Sequence, residues 1–159
     1  MKSIYLLRHA KAQKDVPGLP DFARPLTSRG QEDARKFAQK LKKEGIVFDR
    51  VLSSPAQRAK ETLAFLLPDL SFPLTRVEYR DELYSATEKE IIALLSALDT
   101  GSSVLVCGHN PALESLATLW AEKQVELSTC SCFCAHFSFN SWDRLPEQRP
   151  NRWEYIARE

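Results

Sequence analysis

The chain has 159 residues, 43% of them hydrophobic and 27% charged, the proportions of an ordinary globular domain. Its 22 Lys and Arg against 21 Asp and Glu leave a formal charge of +1, so no overall footprint points to nucleic acid or an acidic membrane surface, and any anion site has to be local. The early apolar run, SIYLL, is too short to cross a bilayer and no signal-cleavage pattern follows it, so a cytoplasmic protein is expected. A chain this long hides roughly two-thirds or more of its unfolded surface and needs neither disulfides nor a structural metal to fold.

Residues 3–7, SIYLL, read as a buried strand. A helix follows, with a capping box expected at Ser28 and Gln31, an apolar face of Ala34, Phe37, Ala38 and Leu41, and an end near Gly45. RVLSS at 50–54 is a short strand, and the next helix is expected to open at Ser54, with Pro55 in its first turn, and to stop before Pro68. A strand is expected around 75–79, and Thr87 with Glu90 make a second capping box ahead of IIALLSAL. VLVC at 104–107 is a strand, Asn110 and Pro111 start a fourth helix, and strands near 132–139 and 152–157 close the chain. No repeat, low-complexity tract or linker breaks the pattern, so residues 1–159 read as one domain.

Cys107, Cys130, Cys132 and Cys134 pose a choice between core residues, disulfides and metal ligands. The alternation in CSCFC puts Cys130, Cys132, Cys134 and His136 on one strand face and Phe133, Phe137 and Phe139 on the other. Same-face residues on one strand diverge too far to close a tetrahedral zinc site. Small buried core residues are the expectation for the cysteines, and a partly buried structural residue for His136.

Alternating strands and helices predict a three-layer α/β/α sandwich with a mostly parallel central sheet and an antiparallel edge strand from the C-terminal hairpin region. Right-handed crossovers gather the strand-to-helix turns at one sheet edge, where such folds bind ligands. Those turns carry Arg8 and His9 after the first strand, Ser53, Ser54 and Pro55 with Arg58 after the second, and Gly108, His109 and Asn110 after the VLVC strand. Two arginines are suited to a phosphoryl dianion because the planar guanidinium presents paired donors and keeps its charge. Ser54 at a helix N-cap would add backbone N–H groups and the positive end of the helix dipole. Arg8 and His9 can share a pocket only where the chain leaves extended geometry, since neighbours on a strand face opposite ways.

A histidine among cations is disfavoured as imidazolium, and neutral imidazole can attack phosphorus. Attack would give a phosphohistidine that water clears in a second step. His109 would donate to the phosphate, and no carboxylate cluster suggests a metal. No cofactor is expected.

LLRHAKA, RPLTSRG, SSPAQRAKET and VLVCGHNPALE, in this order, resemble the histidine phosphatase superfamily with its phosphoglycerate mutase-like fold, and most of all its short branch of SixA-type phosphohistidine phosphatases. The resemblance runs from residue 4 to about 117. It implies His9 as the phosphorylated nucleophile with Arg8, Arg58 and His109 as the phosphate pocket, and it places Glu82, with Asp81 competing, about where larger members carry a proton-donating carboxylate. Little room exists between Pro55 and His109 for the insertions that wall in the site of mutase-like relatives. An open site suits phosphohistidine on a signalling or phosphocarrier protein, such as a histidine-phosphotransfer domain. A small-molecule phosphomonoesterase and an inactive phospho-residue binding module are the alternatives.

Overall fold

A computed structural model describes residues 1–159. Its strands are β1 (Lys2–Arg8), β2 (Arg50–Ser53), β3 (Glu78–Tyr79), β4 (Ser103–Gly108), β5 (Cys132–Phe137) and β6 (Arg152–Ile156); its helices are α1 (Ser28–Lys43), α2 (Gln57–Leu66), α3 (Glu88–Ser96) and α4 (Ala112–Ala121). The strands form one sheet in the order β3-β2-β4-β1-β5-β6. The first four of that order run parallel, while β5 is antiparallel to both β1 and β6. The antiparallel strand therefore lies one place inside the edge. All of its residues are buried, which suits a strand paired on both sides, whereas β6 is largely exposed and takes the edge.

Period-two alternation sorts the strand side chains into two cores. Tyr5, Leu7, Val51, Leu105, Cys107, Cys132 and Cys134 pack with Ala34, Phe37, Leu41, Leu63 and Leu66 of α1 and α2. Ile4, Leu6, Leu52, Val104, Val106, Phe133 and Phe137 pack on the opposite face with Ile91, Leu95, Leu116 and Trp120 of α3 and α4. This is the three-layer sandwich. No helix is long and apolar enough to cross a membrane.

The cysteines are all free and buried, and Cys130 joins the same core as Cys132 and Cys134 although it precedes β5 with φ +56°. His136 is buried beside Ser3, whose hydroxyl meets its Nδ1 at 2.8 Å.

Helix α4 opens at Ala112, just after the expected Asn110 and Pro111, and β5 ends at Phe137, short of 139; three further boundaries differ from expectation. The cap of α1 is Thr27, not Ser28: its Oγ1 accepts from Gly30 N at 2.9 Å and donates to the Lys11 carbonyl at 3.2 Å. That second bond ties the cap to the segment leaving β1, which Ser28 would not do. The strand expected at 75–79 shortens to two residues because Leu74–Arg76 forms a 3-10 turn. Helix α2 opens at Gln57, three residues after Ser54. Ala56 is extended, with φ −58° and ψ 144°, so the helix cannot begin before Gln57, and the Ser54 hydroxyl accepts from Ala56 N at 3.1 Å.

Gly30 has a packing reason. A Cβ there would stand 2.1 Å from the Lys11 carbonyl oxygen, a backbone atom that cannot swing aside. Gly30→Ala is expected to cost about 2 kcal/mol through forced displacement of that contact, read as a lowered Tm in thermal unfolding.

Candidate active site

The carboxyl ends of β1, β2 and β4 deliver Arg8, the Ser53-Ser54 turn and Gly108-His109 to one edge. There a cleft of about 320 Å³ is lined by Arg8, His9, Lys11, Lys14, Arg24, Arg58, His109 and Asn110. Hollows of about 480 and 550 Å³ occur elsewhere. The first lies at the opposite ends of the parallel strands, beside Asp49, Arg50 and Gly101; the second is formed by residues 138–148, and neither contains a histidine or a cysteine.

Extended geometry ends at Arg8, and His9 lies beyond the strand. That is how neighbouring residues come to line one cleft. Arg8 Nη1 donates to the Leu127 carbonyl at 3.0 Å, an acceptor shared with Asn110 Nδ2, also at 3.0 Å. His9 Nδ1 lies 2.7 Å from the Ala10 carbonyl. A carbonyl can only accept, so Nδ1 carries the proton and Nε2 keeps its lone pair. The turn is pinned to α2 through Thr62, whose Oγ1 accepts from Ala10 N at 2.9 Å and donates to the Arg58 carbonyl at 2.7 Å.

His9 is 8% exposed, and its pKa is lowered to about 3. Burial is the largest cause, the Ala10 hydrogen bond opposes it, and His109, Arg58 and Arg8 lower it further. Neutrality was expected from neighbouring cations; desolvation does more of it. Burial followed by Arg58 likewise lowers His109 to about 4. Both rings are neutral at pH 7.

Ser54 is fully buried and meets His109 Nε2 at 2.7 Å. Its oxygen already accepts from Ala56 N, and no other acceptor for its proton is present. Donation to Nε2 satisfies that hydroxyl and leaves the proton of His109 on Nδ1, a buried atom without a protein partner. Ser54 thus contributes through its side chain on His109, not as the cap of α2.

Sequence reasoning missed the carboxylate that organises the cations. Asp21, in the 3-10 turn Asp21–Ala23, accepts from Arg58 Nη2 at 3.1 Å, Arg24 Nε at 2.9 Å and the Tyr84 hydroxyl at 2.6 Å. These bonds, Tyr84 first, hold its carboxyl well below the usual range. Arg58 also donates to the Asp21 carbonyl at 2.8 Å, while its Nε, like that of Arg8, is buried without a partner. The i, i+3 pairing of Asp21 and Arg24 was visible in DFAR, but its closure onto Arg58 spans 37 residues. Glu82 and Asp81 lie exposed in the turn Asp81–Tyr84 and do not line the cleft. Tyr84 from that turn does approach it, packing edge-on against His109 with ring centroids 5.6 Å apart. No cluster of three or more His, Cys, Asp or Glu side chains is arranged to hold a metal ion.

This geometry has relatives. The family described as histidine phosphatase superfamily (branch 1) matches residues 4–84. Phosphohistidine phosphatase SixA of Escherichia coli (strain K12) is 34% identical over 111 residues, covering 68% of this chain and 67% of that protein. A solved structure described as a candidate phosphohistidine phosphatase SixA from Agrobacterium tumefaciens superposes with a TM-score of 0.79 at 26% identity, covering 98% of this chain and 96% of the other. The protein histidine phosphatase SixA complexed with tungstate gives 0.77 at 29% identity, covering 85% and 88%. The chain belongs to the histidine phosphatase superfamily and, with its SixA-type relatives, is a histidine-nucleophile phosphatase.

Proposed function

We propose that His9 is the nucleophile of a metal-independent phosphatase that removes phosphoryl groups from phosphohistidine on a signalling or phosphocarrier protein. The observation carrying this reading is the Nδ1 bond of His9 to Ala10. It leaves Nε2 as the one ring atom with a free electron pair, in a cleft where Arg8 and Arg58 each retain a buried, unpartnered Nε donor. In the first step Nε2 attacks phosphorus, the bond to the leaving group breaks, and a phosphohistidine forms. In the second, water attacks the same phosphorus, the bond to Nε2 breaks, and phosphate departs. Arg8 and Arg58 hold the phosphoryl oxygens, and His109 donates from Nδ1 as charge builds on them.

A leaving imidazole departs protonated at neutral pH, so the reaction does not depend on a carboxylic acid such as Glu82 or Asp81. That fits their position outside the cleft. The SixA relatives support a phosphoprotein substrate, and an anion site built from arginines is consistent with the tungstate complex of one of them. A side pocket of about 340 Å³ beyond His109, lined in part by Leu83, Tyr84 and Pro111, favours a second reading in which a small phosphate ester lodges its leaving group there. Turnover of a phosphohistidine protein compared with sugar phosphates and nucleotides, in the presence of a chelator, decides the matter. Preference for the protein is expected; preference for the small esters, or loss of activity to the chelator, would overturn the reading.

The lowered pKa values set a pH dependence. Protonation removes the His9 nucleophile only near pH 3 and charges His109 only near pH 4, so the acidic limb of kcat/KM belongs below pH 5, not near 6.5, once substrate ionisation is measured separately. For stability, both groups bind fewer protons folded than unfolded. Their contribution is present above about pH 6.5 and is lost as pH falls through 4 toward 3.

Ser54 is assigned as a positioning residue acting through His109. Ser54→Ala is expected to lower kcat about tenfold with a smaller change in KM, because an untethered ring divides between tautomers and orientations. Nitrogen chemical shifts of His109 should report loss of the Nδ1–H form, and Ser54→Thr should restore both signals.

A further inference from the structure

The cleft holds more positive charge than a phosphoryl group requires. Of its five lining cations, Arg8 is bound to the Leu127 carbonyl, while Arg58 and Arg24 are bound to Asp21, so the charge of these last two is partly compensated. Lys11 and Lys14 differ: both are exposed, neither joins an ion pair, and no carboxylate lines the cleft. They stand on the same side, along the segment leaving β1. The far side of His109 is the more apolar pocket of Leu83, Tyr84 and Pro111.

Their placement is built into the fold. The Lys11 carbonyl accepts from Thr27 N at 2.9 Å and from Thr27 Oγ1. Ala12 bridges Leu26 in antiparallel fashion, and Gln13 N donates to the Pro25 carbonyl at 2.8 Å. Gly30 has no Cβ where the Lys11 carbonyl packs. The segment is strapped to the start of α1 by main-chain bonds, and both ammonium groups are left free at the rim.

We propose that Lys11 and Lys14 form a recognition edge for carboxylate side chains flanking the phosphorylated residue of a protein substrate. This rests on the phosphohistidine reading above and names the kind of protein surface that site selects: an acidic one. Neither lysine takes part in the phosphoryl clamp. Their contribution is to encounter and docking, so it appears in kcat/KM at low salt and fades as ions screen it.

The test uses two synthetic phosphohistidine peptides that differ only in carrying Glu or Gln at the flanking positions, with p-nitrophenyl phosphate as a small reference. Wild type is expected to favour the Glu peptide about fivefold in kcat/KM at low ionic strength, the scale of two exposed charge pairs, with the ratio falling toward one in high salt. The Lys11→Gln/Lys14→Gln double variant should bring the ratio to about one at every salt concentration, with turnover of p-nitrophenyl phosphate changed less than turnover of the Glu peptide. Equal turnover of both peptides by wild type, or an unchanged preference in the variant, would overturn the inference alone. A variant slowed equally on all three substrates would also overturn it, because the lysines would then act on the phosphoryl group itself. If wild type turned over p-nitrophenyl phosphate but neither peptide, the phosphohistidine reading would fall and this inference with it.

Discussion

Replacing His9 by alanine is expected to lower kcat/KM by about 10⁴-fold or more, since removal of a covalent nucleophile leaves only the catalysis of the surrounding charge. The expectation follows from the tautomer. With Nδ1 committed to the Ala10 carbonyl, Nε2 is the sole nitrogen of His9 able to attack, and no cysteine lines the cleft to substitute for it. His109 cannot take over readily. Ser54 engages its Nε2, and its Nδ1 holds the proton. Steady-state kinetics on a phosphohistidine substrate checks the magnitude. Circular dichroism of His9→Ala checks that the loss is chemical, and His9→Asn offers a polar replacement if the alanine variant folds poorly.

Arg58→Ala is expected to cost about 10²- to 10³-fold in kcat/KM, the scale on which a preorganised donor to developing charge is felt. Arg58 is 6% exposed and held from two directions by the Asp21 carbonyl and carboxylate, so its guanidinium is placed before substrate arrives. Arg58→Lys should recover only part of the loss, because an ammonium cannot reproduce the planar fork. The same substitution carries a pH signature. Arg58 lowers the pKa of both His9 and His109, so removing its charge raises both and moves the acidic limb of the rate profile toward neutral pH. A pH–rate profile of Arg58→Ala measures this shift, and a purely structural defect would lower the rate without moving the limb.

Much of this was legible in the chain because short apolar runs bounded by turn residues specify strands, and strand ends specify where polar side chains collect. Arg8, His9, Arg58 and His109 could be placed at one edge from that logic alone. The details that escaped depend on tertiary competition. Ser54 was read as a helix cap because Ser-Pro before a helical pattern usually is one; its burial against His109 decides otherwise. Thr27 took the cap of α1 from Ser28 because it alone also reaches Lys11. Asp21 carried no local signal stronger than a surface turn, and its role at the site appears only when α2 and the turn Asp81–Tyr84 are folded against it. The antiparallel strand was foreseen, but whether β5 or β6 would take the edge depended on how completely β5 is buried.

The mechanism rests on a covalent bond between phosphorus and one ring nitrogen. Rapid quenching of wild type during turnover of a ³²P-labelled substrate, into alkaline detergent that preserves phosphohistidine, followed by peptide mapping, detects that bond directly. Label on the peptide containing His9, attached through Nε2 and absent from His9→Ala, is the predicted result. Full activity with no label on His9 under conditions that preserve a phosphohistidine standard, or activity retained by His9→Ala, would contradict it.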